Sequence, residues 1–202
     1  SNTDTDRGNA MERSSITNSY ALGDVFAGNP TSANAAVYAG GLVGYTQIVS
    51  GGTNPDAGKV AYNFAAGSVT AQSASSSAVY AGGIAGYMVS GELSGYAAFG
   101  GAVTVKGSGT KTAARVYAYS AGGGANNYAL KTTRLYTAAS YTVPGDAATP
   151  PTASSMDGAN AIGDDFRTRV LWETDLGFSA LEWDFFSVWS RGYPTLKNAG
   201  GQ

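Results

Sequence analysis

Val37-Tyr38-Ala39-Gly40-Gly41-Leu42-Val43-Gly44-Tyr45 returns as Val79-Tyr80-Ala81-Gly82-Gly83-Ile84-Ala85-Gly86-Tyr87, a shift of 79 − 37 = 42 with seven of nine positions identical. A degraded third copy starts at Val116-Tyr117-Ala118, 37 residues after Val79. A second element travels with the first: Asn18-Ser19-Tyr20-Ala21-Leu22-Gly23-Asp24-Val25 matches Tyr62-Asn63-Phe64-Ala65-Ala66-Gly67-Ser68-Val69, a shift of 44. Self-similarity at a period near 40 residues marks a repeat architecture. The repeated runs are short, rich in Val and Tyr, and bounded by Gly, Asn or Ser, which is the pattern of strands and turns.

The expected fold is all-β, a parallel β-solenoid (β-helix) of about three repeat units, its handedness left open. Gly and Ala suit a narrow interior where facing walls approach closely. A propeller has blades of similar length, but three blades are too few to close a ring.

Composition bounds the chemistry. The 202 residues include 29 Gly and 34 Ala, only 13% are charged, and there is no His and no Cys. A Ser-His-Asp triad, a thiol nucleophile, a His/Cys zinc site and disulfides are therefore excluded. A net charge of −2 without a Lys/Arg cluster gives no footprint for nucleic acid or anionic lipid, and no apolar stretch approaches a spanning helix.

Charge divides the chain: nine charged residues fall between 14 and 145, eleven between 157 and 197, and all three Trp lie in the second stretch. The expected organisation is an N-terminal extension (1–13), repeats (14–145), a linker (146–156) and a capping segment (157–202). Trp172, Phe178, Trp183, Phe185, Phe186 and Trp189 are expected to cover an open end of the stack, which would otherwise expose core and strand edge.

Gly40-Gly41-Leu42-Val43-Gly44 and Asn18-Ser19-Tyr20-Ala21-Leu22-Gly23-Asp24-Val25 resemble the two halves of the GLUG repeat. That repeat occurs in bacterial surface proteins, including adhesin-like proteins and some immunoglobulin A peptidases. Unit two differs by Ile84-Ala85, and the third copy departs further. Leu176-Gly177-Phe178, Trp183-Asp184-Phe185 and Gly192-Tyr193-Pro194-Thr195-Leu196-Lys197 resemble the segment that closes such regions. The resemblance, over residues 14–197, implies a β-solenoid in an extracellular, adhesive, cell-surface setting and implies no chemistry.

Tyr38, Tyr80 and Tyr117 are expected to form a column, either filling a wall or offering rigid apolar faces to a host protein or glycan. Tyr20 and Phe64 are expected inside. Gly107-Ser108-Gly109-Thr110-Lys111-Thr112 lacks phosphate-loop spacing and reads as a turn. Asp157, Asp164 and Asp165 are the one plausible calcium cluster, without the loop pattern such a site needs. Asp24, Asp56 and Glu92 are the body's few acids, and Asp24 becomes Ser68 in the next unit, which argues against a polysaccharide-cleaving pair. The functional expectation is a non-catalytic module without cofactor, binding a host protein, a glycan or copies of itself. A purely structural stalk or spacer, or a self-assembling surface module, is the alternative, and a polysaccharide-cleaving β-helix enzyme a minor one.

Overall fold

In a computed structural model the described residues are 15–29, 35–47, 60–89, 93–186 and 188–197. The Asp56 and Glu92 expectations fall outside them, as does the side chain of Trp189. The first unit supplies β1 (Ile16–Thr17), β2 (Tyr20–Ala21), β3 (Val25–Asn29), β4 (Val37–Gly40) and β5 (Val43–Thr46). The second supplies β6 (Val60–Ala65), β7 (Val69–Ser73), β8 (Val79–Gly82) and β9 (Ala85–Met88). The third supplies β10 (Leu93–Ala98), β11 (Ala102–Lys106) and β12 (Lys111–Ala114). A shorter fourth level follows with β13 (Gly124–Ala125), β14 (Tyr128–Leu130) and β15 (Arg134–Tyr136), then β16 (Tyr141–Thr142) and β17 (Ala159–Ala161). The remainder carries β18 (Trp183–Asp184), a four-residue helix α1 (Val188–Arg191) and β19 (Thr195–Leu196).

The chain is all-β, and its principal sheets are built from parallel strands. One has the order β1-β6-β10-β14-β17, with β2 also beside β6 and β13 beside β10. A second runs β3-β7-β11-β15, with β16 added antiparallel at its edge. A third is β4-β8-β12, and a fourth joins β5 to β9 and reaches the next unit through bridges Ala85↔Tyr117 and Met88↔Ser120. Each unit thus places one segment in each sheet, directly beside the matching segment of its neighbour. Because β17 joins the first sheet, parallel stacking continues past residue 145 into the segment read from sequence as a cap.

This register corrects the third copy. Units one and two pair at 37↔79, the expected 42, but units two and three pair at 79↔111 and 85↔117, a shift of 32. Lys111-Thr112-Ala113-Ala114 therefore occupies the slot of Val79-Tyr80-Ala81-Gly82, and Val116-Tyr117-Ala118 that of Ile84-Ala85-Gly86. The glycine that helps identify the slot is replaced at the third level by Ala114. A Cβ on Gly40 would lie 2.6 Å from the Ile84 carbonyl oxygen, and one on Gly82 would lie 2.8 Å from that of Val116. The equivalent Ala114 sits in the last strand of its sheet.

A second device recurs at the first four levels of the first sheet. Asn18, Tyr62, Gly95 and Asn126 are register equivalents, and all have positive φ (51°, 56°, 69° and 53°). Asn and Gly tolerate this left-handed geometry, and Tyr62 adopts it at a cost its packing must offset. The kink interrupts the ladder, and the following residue repairs it from inside. The Ser19 amide donates to Asn63 Oδ1 (2.8 Å) and the Tyr96 amide to Asn127 Oδ1 (3.2 Å). Asn63 Nδ2 donates to the Ile16 carbonyl (2.8 Å), and Tyr96 Oη donates to the equivalent Val60 carbonyl one level on (2.6 Å). Asn and Tyr thus do the same work at successive levels, which keeps buried backbone groups paired.

Two apolar clusters fill the stack. One contains Val60, Ala65, Ile84, Ala85, Met88, Leu93, Tyr96, Val116 and Tyr117; the other contains Val37, Ala39, Val69, Val79, Ala81, Val103 and Leu135. Small residues are prominent among the buried positions, including Ala39, Ala61, Ala71 and Ala81. Between β8 and β9 the tightest approach is at Gly83, where a Cβ would lie 2.1 Å from the Arg115 carbonyl oxygen, whereas a Cβ on Gly101 meets nothing within 4 Å. Gly83→Ala should therefore destabilise the fold by about 1–3 kcal/mol, while Gly101→Ala should change it by less than about 0.5 kcal/mol; urea denaturation of both variants checks the contrast.

Candidate functional site

The third and fourth parallel sheets bring tyrosines together on the outside of the stack. Tyr38 and Tyr80 are register partners with near-parallel rings (centroids 5.6 Å apart, 19°). Beside them Tyr45, Tyr87 and Tyr119 form a three-level column, with centroid spacings of 5.9 and 4.3 Å and interplanar angles of 15° and 16°. Tyr87 is the hub, lying 5.1 Å from Tyr38 and 5.0 Å from Tyr80 as well. Tyr45 and Tyr119 are 47% and 40% exposed, and the three others are half-buried.

Of the predicted column Tyr38–Tyr80–Tyr117, only the first pair exists. Thr112 takes the third position, and Tyr117 is buried between sheets, its Oη donating to the Ser154 carbonyl (3.0 Å). The error follows from the 37-residue alignment. The true column was present in the sequence as the last residue of each quoted repeat, Tyr45 and Tyr87, and the shift of 32 adds Tyr119.

Burial, followed by the neighbouring phenols Tyr45 and Tyr80, holds the Tyr38 hydroxyl above its ordinary pKa. Tyr87 shifts the same way, through desolvation and then Tyr119, Tyr80 and Tyr38. Both phenols are thus held neutral at physiological pH.

The aromatic residues of the C-terminal segment lie along the flank of the first sheet instead of across an end. Tyr20, Phe64 and Phe99 present a stacked row there, with centroids 5.0 and 5.5 Å apart. Phe166 packs on Phe99 (4.4 Å), Trp172 on Phe99 and Phe64, Phe178 on Tyr62, and Trp183 on Phe64 and Tyr20. Trp183 Nε1 donates to Asn18 Oδ1 (3.0 Å) in the first unit, so the segment runs from the last strand of the sheet back to the first. Phe64 is fully buried as expected, but beneath this brace and not between sheets, while Tyr20 is half-buried. Phe185 joins the brace; Phe186, expected to cover core, is 85% exposed.

The acidic residues have separate structural duties. Asp24 Oδ1 accepts from the Ser68 amide, Asp157 Oδ1 from the Arg115 amide, and Asp165 Oδ2 from the Ile162 amide. Among the described residues no group of three or more carboxylates could hold a metal ion. Residues 107–110 are the turn between β11 and β12. Arg115, fully buried, donates to Asn160 Oδ1 and the Gly158 carbonyl, joining the third unit to the loop before β17. Sequence reading missed it, because one Arg in a low-charge body carries no periodic signal.

No protein-family model matches the chain, and no curated protein matches it. Among solved structures it is similar to a Bacteroides ovatus protein described as a "putative immunoglobulin A1 protease", with a TM-score of 0.55 and 16% identity over 95% of this chain. The chain spans 60% of that protein's length. At this identity the likeness is one of fold.

Tyr96 supplies a pH test. Burial raises its phenol well above the ordinary 10.0, with Asn63 opposing weakly. An unfolded chain therefore loses this proton first, so the contribution is complete below pH about 10 and is lost as pH rises through the folded value. Stability from urea midpoints should hold level from pH 7 to 9 and fall above pH about 10, and Tyr96→Phe should cost about 1 kcal/mol at neutral pH and flatten the alkaline fall.

Proposed function

We propose that this chain is a non-catalytic module of a bacterial surface protein, a β-solenoid of GLUG-type units that adheres to a host protein or glycan along one elongated face. The observation carrying this reading is the tyrosine ridge: five mutually packed rings on the outer surface of a chain otherwise poor in charge, with Tyr45 and Tyr119 open to solvent. Tyr gives contact area at low conformational-entropy cost together with a hydrogen-bonding hydroxyl, which is why it is enriched where proteins bind partners. Engagement of the acids with backbone amides supports a role without catalysis.

A spacer role draws on the same ridge, since rings that occupy one another's faces also serve as a wall. Binding decides between the two. The purified chain, titrated against a glycan array and a panel of extracellular-matrix proteins, should show saturable binding that a folded Tyr45→Ala/Tyr119→Ala variant weakens at least about tenfold, or 1.4 kcal/mol. Absence of binding by the native chain would overturn the adhesive reading in favour of the spacer.

A further inference from the structure

We propose that Tyr87 and Tyr119 form an oxidative cross-linking site, at which a peroxide-derived one-electron oxidant joins the second and third units through a dityrosine bond. The chain has no Cys, so no disulfide ties one unit to the next. Of the three near-parallel phenol pairs that join adjacent units in the ridge, two have centroids 5.6 and 5.9 Å apart, and Tyr87 with Tyr119 is the tightest, at 4.3 Å with planes 16° from each other. That is van der Waals contact between ring carbons, so little reorganisation separates the native pair from a bonded one.

The ridge also determines where an oxidised ring would react. Tyr45 and Tyr119 are exposed to a diffusible oxidant, and Tyr87 touches the other four rings of the cluster. An electron hole created at either exposed ring therefore reaches Tyr87 by exchange between touching rings, and coupling falls to the closest pair. In balance, each phenol gives up one electron and its hydroxyl proton. A carbon ortho to each oxygen then bonds to its counterpart, and the two displaced ring hydrogens move to the oxygens and restore both phenols. Two electrons and two protons leave overall, reducing one hydrogen peroxide to two waters.

A second phenol pair, also made of one half-buried and one exposed ring, is a built-in comparison. Tyr136 and Tyr141 are 5.3 Å apart but tilted by 53°, and the Arg134 guanidinium sits 5.0 Å over the Tyr141 ring. A cation on the π-face opposes loss of an electron from that ring.

The proposal does not depend on whether the ridge binds a partner. The test treats the full chain, dilute and at neutral pH, with a haem peroxidase, a small phenolic mediator and limiting hydrogen peroxide. The expected product is a monomer lighter by two hydrogens, with dityrosine fluorescence and a cross-linked peptide joining Tyr87 to Tyr119. Tyr119→Phe, which keeps the ring, should abolish the product at an unchanged melting temperature, and Tyr141→Phe should leave its yield unchanged. A product mapping to Tyr136–Tyr141, coupling mainly between chains, an unaffected yield in Tyr119→Phe, or no dityrosine at all would overturn it.

Discussion

Phe64 is the point at which the two halves of this molecule meet. Its ring packs against Tyr20 and Phe99 along the flank of the first sheet and against Trp172, Trp183 and Tyr193 from the C-terminal segment. Parallel ladders alone link each unit only to its neighbours, so a stack of this kind loosens unit by unit from its ends. The brace changes that relation. By spanning from Asn18 to the last strand of the sheet it makes the first unit's stability depend on the same aromatic contacts as the last.

Much of the architecture was readable because the constraints that create it act on residue identity. Close approach between units admits no side chain at Gly40, Gly41, Gly82 and Gly83, so these positions stay glycine and the repeat shows. One level on, the signal lapses. Ala114 and Arg115 replace the glycine pair at the last level of that sheet, and the coincidental Val116-Tyr117-Ala118 then looks like the better match. One misplaced register put Tyr117 in line with Tyr38 and Tyr80 and left Tyr119 out of its place beside Tyr45 and Tyr87.

The kinks and the brace were less legible. The left-handed position is Asn, Tyr, Gly and Asn in successive units, so backbone geometry persists while chemistry changes. The inward residue after it is likewise Asn63 at one level and Tyr96 at the next, each satisfying the equivalent carbonyl, of Ile16 and of Val60, by a different group. Composition does announce that residues 157–197 bury large rings, since Trp172 and Trp183 are costly to leave in water. It does not say against what, because apolar area is non-directional and a flank row of Tyr20, Phe64 and Phe99 demands cover as strongly as an open end.

The ridge and the brace thus divide the aromatic residues into an outer set and a buried set on different sides of one scaffold. The account's central claim is that the brace and the stack are one cooperative unit joined at Phe64. Hydrogen exchange of Phe64→Ala, a truncation expected to cost about 3–5 kcal/mol, tests this directly. The account predicts that amides of β6 and β10 and those of residues 166–186 lose protection together. Strands that keep native protection while residues 166–186 alone exchange freely would contradict it.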